Sequence, residues 1–203
     1  MVPVLAAAQS TIVNRQSTLE KGNAMTLAQH SIPRPAAGEY PAYFEAYLAK
    51  LPEGDLLEIL EAQWEELGCL LEELDDAAAE HRYAEGKWSV KEVLGHLVDA
   101  ERIFAYRLLR IARGDATPLA GFDENAYVAA ANFGARPLES LLEEYDLVRG
   151  HTLALLRGLD PESLTRTGTS NGKTVSVRAL AWLVAGHEHH HMSVLKEKYL
   201  PSF

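Results

Sequence analysis

Apolar residues recur at alternating three- and four-residue steps along four stretches of this chain. That period predicts four long helices, each with one buried stripe. In the first, Asp55 is placed to cap a helix whose stripe runs through Leu56, Leu60, Trp64 (or Gln63), Leu67, Leu71 and Leu74. Its remaining faces are crowded with Glu and Asp and read as solvated surface. Cys69 lies off that stripe, with no basic neighbour to lower its pKa, and is expected to be a packed, unreactive thiol. The second helix opens at Ser89, whose spacing to Glu92 makes an S-x-x-E capping box. Val90, Val93, Leu97, Phe104, Leu108 and Ile111 form its stripe to about Arg113. Pro137 suits the first position of the third, with Leu138, Leu142 (beside Leu141), Tyr145, Val148, Thr152, Leu155 and Leu159 facing inward. Ser176 caps the fourth, whose seam reads Leu180, Val184, His187, His191, Val194, Lys198.

Between these lie shorter features. Residues 1–37 show no sustained period and end in Ser31-Ile-Pro33-Arg-Pro35, which resists helix continuation, so they read as a flexible arm preceding a domain of residues 38–203. Met25 is an alternative start. Residues 40–50 predict a short aromatic helix. The connection 114–136 is long, with one helical turn expected around Asp123–Ala130, and connections of that length are uncommon unless functional; it is expected to roof a pocket. Asn171-Gly172, flanked by β-type residues, predicts a hairpin turn before the last helix. The fold class is therefore all-α, a four-helix bundle with a short N-terminal helix, a long connection between the second and third helices and a small hairpin.

Composition narrows the function. The 203 residues are 47% apolar and 24% charged, enough for one core without staples. A net charge of −10 disfavours nucleic acid and anionic membrane surfaces. A single cysteine excludes an intrachain disulfide and fits a reducing compartment. With no signal-peptide pattern in residues 1–9 and no apolar run long enough to span a bilayer, the expected location is cytoplasmic.

Two imidazoles, His187 and His191, occupy rungs where a bundle would place Leu or Val. Four residues apart on one helical face, their Cβ atoms stand roughly 5–6 Å from each other, close enough to grip one ion. His96 flanks the second helix's stripe and is the candidate third ligand; three protein ligands leave a position open for water or substrate. Unpartnered, each buried ring nitrogen would cost roughly 1–3 kcal/mol. His189 projects away from the seam, and His190, at its flank, is expected to support a neighbouring helix. His187-Glu-His-His-His191 formally matches H-E-x-x-H, but only 12 residues follow His191 and no substrate-binding strand is available, so Glu188 is not read as a protease base. Asp99 and Glu101 could orient the imidazoles, although Glu101 as readily pairs with Arg102 or with Arg149's helix. No protein acid or base is identified.

The stretch from Lys87 to Glu101 around His96, together with Gly186-His187-Glu-His-His-His191, resembles the DinB-like, or YfiT-like, metal-binding four-helix proteins. Leu51-Pro-Glu-Gly-Asp-Leu-Leu57 and Gly121-Phe-Asp-Glu-Asn125 support the resemblance, which covers roughly residues 40–200. It implies one divalent ion, zinc or nickel, on His96, His187 and His191, and a homodimer is plausible from the family. Family members include enzymes that use low-molecular-weight thiols as cosubstrates and others described as metal-dependent hydrolases. The resulting expectation is transfer of such a thiol to a small electrophile. Hydrolysis on the same ligands is the runner-up, and a non-catalytic metal- or ligand-binding bundle is the third reading.

Overall fold

A computed structural model describes residues 31–200. The elements are α1 (Glu45–Leu48), α2 (Leu56–Glu72), a single turn at Asp76–Ala79, α3 (Val90–Ala112), α4 (Glu124–Ala131), α5 (Leu138–Arg157), β1 (Thr167–Ser170), β2 (Lys173–Ser176) and α6 (Val177–Val194), which continues into a π-helical turn, Leu195–Tyr199. Three of the four long helices begin where the sequence places their caps, and α5 begins one residue late, with Pro137 at the N-cap and Leu138 first in the helix. Asp55 accepts hydrogen bonds from the backbone N–H groups of Leu57 and Glu58, Ser89 and Glu92 complete a reciprocal capping box, and Ser176 accepts from the Ala179 N–H. Each such cap contributes about 1 kcal/mol by satisfying donors that have no partner within the helix.

α2 and α3 each pack against both α5 and α6. The first two long helices, α2 and α3, and the last two, α5 and α6, therefore stand across the diagonals of the bundle, whereas α3 and α5 are neighbours. Leu56, Leu60, Leu67 and Leu71 of α2 are completely buried, as the periodicity predicts; so are Leu94 of α3, outside the predicted stripe, and Leu141 of α5, while the adjacent Leu142 is only half-buried. The hairpin pairs Thr167 with Ser176 and Ser170 with Lys173, and its two-residue turn carries Asn171 and Gly172 at φ 50° and 70°, the left-handed pair that matches strand twist. The 114–136 connection runs against it: the Leu119 N–H donates to the Thr169 carbonyl and the Asn171 N–H to the Leu119 carbonyl, both at 2.9 Å.

Some residues depart from the expected pattern. Lys198 is exposed, while Leu195 and Tyr199 are buried in its stead. A strict 3-4 alternation drifts from a straight helix by about 20° per heptad, and the i→i+5 turn adds to that rotation. Cys69 is exposed rather than packed, because, two residues from both Leu67 and Leu71, it lies on the face of α2 opposite their stripe. Of the expected arm, residues 1–30, with Met25 and His30, lie outside the described residues. Its final part lies on the bundle. Ile32 is 2% exposed, its carbonyl accepts from Trp182 Nε1 at 3.0 Å, and the Arg34 guanidinium sits 4.5 Å above the Trp182 ring while donating to the Leu48 and Leu51 carbonyls. Pro33 and Pro35 exclude a helix there, but an extended segment can still bury side chains.

Candidate metal centre

α3 and α6 are neighbours in the bundle, and the seam of α6 carries His187 and His191 to the face of α3 that carries His96. The three rings form a nearly equilateral triangle, with centroids 4.9 Å apart for His96–His187, 4.8 Å for His96–His191 and 4.6 Å for His187–His191. One nitrogen from each lies within 4.8 Å of the other two, and the Nε2 atoms of His96 and His187 are 3.0 Å apart. All three predicted residues thus meet at one point. His189 is half-buried and belongs to no such cluster among the described residues. His190 packs edge-on against Tyr47 of α1, centroids 5.0 Å apart, in the supporting role expected of it. His151 is exposed.

The glycine before each ligand-bearing turn sets the walls. A Cβ on Gly95 would lie 2.5 Å from the Phe133 ring, and one on Gly186 would lie 3.2 Å from the Tyr47 Cβ. Absence of a side chain at these two positions lets Phe133, from the turn after α4, pack on α3 beside His96, and helix α1 pack on α6 beside His187. Trp88, just ahead of the α3 cap, lies tilted against His96 with centroids 4.8 Å apart, and Phe104 meets His187 edge-on at 5.6 Å. Tyr199 holds Trp88 in place by donating its hydroxyl to the Trp88 carbonyl at 2.7 Å.

Burial determines the protonation of the triad. It pushes His96 down to about 4 and His191 down to about 3, and it holds His187, which also faces the charge of His191 and His96, well below its ordinary value. All three are neutral near pH 7, the form in which an imidazole offers a lone pair to a metal. Zinc–nitrogen bonds of 2.0–2.1 Å place tetrahedral ligands roughly 3.3 Å apart, within the range these nitrogens span. The donor set fits one divalent ion.

Directly behind the triad lies a buried ionic cluster. Arg149 of α5 is fully buried and donates to both carboxylate oxygens of Glu101 on α3, at 3.0 and 2.8 Å, to the Leu60 carbonyl on α2 at 2.8 Å, and to Glu188 on α6. Glu188 also accepts from the Tyr145 hydroxyl. Burial alone would lower the Arg149 pKa, but Glu188 and Glu101 outweigh it and hold the guanidinium charged. Glu188 is therefore turned toward Arg149 and away from the imidazoles, which accounts for the failure of the H-E-x-x-H reading. Glu101 took the Arg149 option, and Asp99 pairs with Arg102 at 3.8 Å. Among the described residues no carboxylate lies within 4.0 Å of the triad's ring nitrogens.

In front of the triad opens a cavity of about 430 Å³, lined on one side by Trp88, Tyr47, Phe44 and Phe104 and reaching Phe122 and Glu124 of the long connection and Ser170 and Asn171 of the hairpin turn. The connection does roof a pocket, as its length predicted. Arg107, absent from the sequence reading of the site, also lines it.

The fold is thus a helical bundle that presents three converging imidazoles, a group that could hold one metal ion, to an open cavity. The chain is a member of the DinB superfamily, whose sequence profile matches residues 59–195. Two relatives from Oceanobacillus iheyensis each carry the name "putative metal-dependent hydrolase". One is 24% identical over 143 residues, covering 69% of this chain and 81% of the relative; the other is 26% identical over 162 residues, covering 72% and 92%. Among solved structures, YfiT from Bacillus subtilis, described as "a probable metal-dependent hydrolase with an unusual four-helix bundle topology", aligns with a TM-score of 0.67 at 19% identity over 84% of this chain and 93% of its own. That likeness establishes the shared fold. No helix among the described residues is long and apolar enough to cross a membrane.

Proposed function

We propose that this protein is a mononuclear metal-dependent hydrolase of a small molecule, with His96, His187 and His191 as the protein ligands. The observation that carries the reading is the triangle of neutral imidazoles, His96 buried and His187 and His191 half-buried, facing a cavity large enough for a small substrate. The names of the relatives point the same way. When bound, a divalent ion supplies Lewis acidity toward a substrate carbonyl or phosphoryl oxygen and toward a water in its open position. The chain's own residues hold and enclose. Trp88, Phe104 and Tyr47 line the reaction space with aromatic surface and restrict water. The Tyr47 phenol, raised by burial and by the nearby Glu124 charge, stays protonated and can donate a hydrogen bond to substrate. The expectation of thiol transfer draws nothing from the relatives' names, and the same assay separates it from hydrolysis.

The test starts with elemental analysis of protein purified without an affinity column, which should give about one divalent ion per chain. The loaded protein is then offered activated esters with and without low-molecular-weight thiols. Thiol-independent ester cleavage that disappears on chelation is the expected result. Turnover only with thiol consumed would replace hydrolysis by S-transfer, and no ion in a metal-replete preparation would remove the reading altogether.

A further inference from the structure

Among the described residues three cationic side chains are buried: Lys91, Arg107 and Arg149. Lys91 meets two carboxylates, Asp76 at 2.7 Å and Glu80 at 3.2 Å, and Arg149 is clamped between Glu101 and Glu188. A buried cation without such compensation is costly, and the usual solution is pairing. Arg107 is the exception. It is 7% exposed, and its hydrogen bond goes to one neutral acceptor, the Ala120 carbonyl, at 2.7 Å, with the guanidinium 5.8 Å from the Phe122 ring. No carboxylate of the described residues lies within 4.0 Å of it. Burial lowers its pKa, and only Tyr43 and Tyr127 oppose that effect. Glu124 lines the same cavity, but its charge is felt at Tyr47, beside the imidazoles.

The location of Arg107 gives this exception a use. It follows His96 by eleven residues of one helix, three turns plus about 20°, and so lies on the same face some 16 Å further along the axis. Ala100 and Phe104 line the cavity between the two. The cavity thus has neutral imidazoles at one end, an apolar middle and a planar, unpaired cation at the other. A guanidinium fork matches a carboxylate by two parallel N–H···O bonds. We propose that Arg107 is a specificity-determining residue that binds a carboxylate at the end of the substrate remote from the metal, so that the substrate class is a small carboxylate-bearing molecule whose reacting group is separated from that carboxylate by an apolar spacer.

This rests on the metal-centre reading for where the reaction occurs, but it is tested by binding alone. The probes are 4-phenylbutyrate and its uncharged counterpart 4-phenylbutanamide, titrated by calorimetry into metal-stripped and metal-loaded protein. Wild-type protein without metal should bind the carboxylate at least tenfold more tightly than the amide. Arg107→Gln, which retains a donor for the Ala120 carbonyl, should bring the two within twofold while leaving amide affinity in place. A residue that merely braces the connection would alter stability without changing that ratio. Equal affinities in wild type, including no detectable binding of either probe, overturn the proposal, as does a preference that persists in Arg107→Gln or appears only with metal bound. Should Arg107→Gln fail to fold by circular dichroism, Arg107→Lys decides: it keeps the charge and loses the fork, so a threefold or larger fall in the preference supports the assignment and an unchanged preference overturns it. Loss of ester cleavage with the preference intact would sink hydrolysis and leave the carboxylate site standing.

Discussion

Single imidazoles on the same turn of α6 have opposite fates. His187 and His191 reach the triad, whereas His189, two residues from each, belongs to no candidate metal-binding cluster among the described residues. Outer-shell partners of metal ligands alone are worth about 10–100-fold in affinity, so losing a ligand should cost at least about 100-fold. His187→Ala or His191→Ala is expected to empty the site in a competition assay with a colorimetric chelator, and His189→Ala to retain metal within about threefold; equal losses in all three would refute the assignment of faces. The convergence of His187 and His191 was legible because an imidazole on a bundle rung is a polar group where the period demands an apolar one. Of Arg149 only the pairing of its helix with Glu101 was offered, as one of two options, and its contacts with Glu188 and the Leu60 carbonyl were not. Arg107 was not read at all, because a charged side chain beside a stripe reads as a solvated flank and its place on the cavity wall is visible only in three dimensions.

At the scale of elements, caps and stripes carried most of the information, and what they missed is what depends on contacts between distant segments. The start of α6 shows this. Ser176 caps it as the sequence requires, yet Ser176 is itself held from outside: its backbone N–H donates to the Glu39 carbonyl at 2.9 Å and its hydroxyl to Glu39 Oε2 at 2.7 Å, while Arg178 donates to the same carboxylate. The Arg178 hydrogen bond, chiefly, lowers Glu39 from an ordinary value near 4.5 to about 2. Between those two pH values the unfolded chain takes up a proton that the folded chain refuses, so this clamp stabilises fully above about pH 4.5 and progressively less as pH falls toward 2. Urea midpoints of wild type and Glu39→Gln should therefore differ at pH 7 and converge by pH 3 to 2. A constant gap across that range would show that the carboxylate charge is not what holds the segment. The π-helical end of α6 was equally invisible, since nothing in Leu195–Tyr199 distinguishes a wide turn from a regular one.

Across the whole molecule, one side chain touches every long helix. Arg149 extends from α5 to Leu60 of α2, Glu101 of α3 and Glu188 of α6. Removing the cation alone leaves two carboxylates facing each other in the core, so Arg149→Met should cost about 3–5 kcal/mol in urea denaturation. Replacing the three together, Glu101→Leu, Arg149→Met and Glu188→Leu, should recover most of that loss, because well-packed apolar groups substitute for a buried ion cluster at little net cost. If the triple variant is no more stable than the single one, the cluster does more than balance its own charges.

The diagonal placement of α2 and α3 also bears on how the protein is made. A nascent chain that has emerged as far as Ala112 has completed these two long helices, whose partners α5 and α6 have yet to emerge. Their leucine stripes must wait, uncovered, until α5 and α6 follow, and the growing polypeptide spends that interval as a client for anything that shields apolar helix faces.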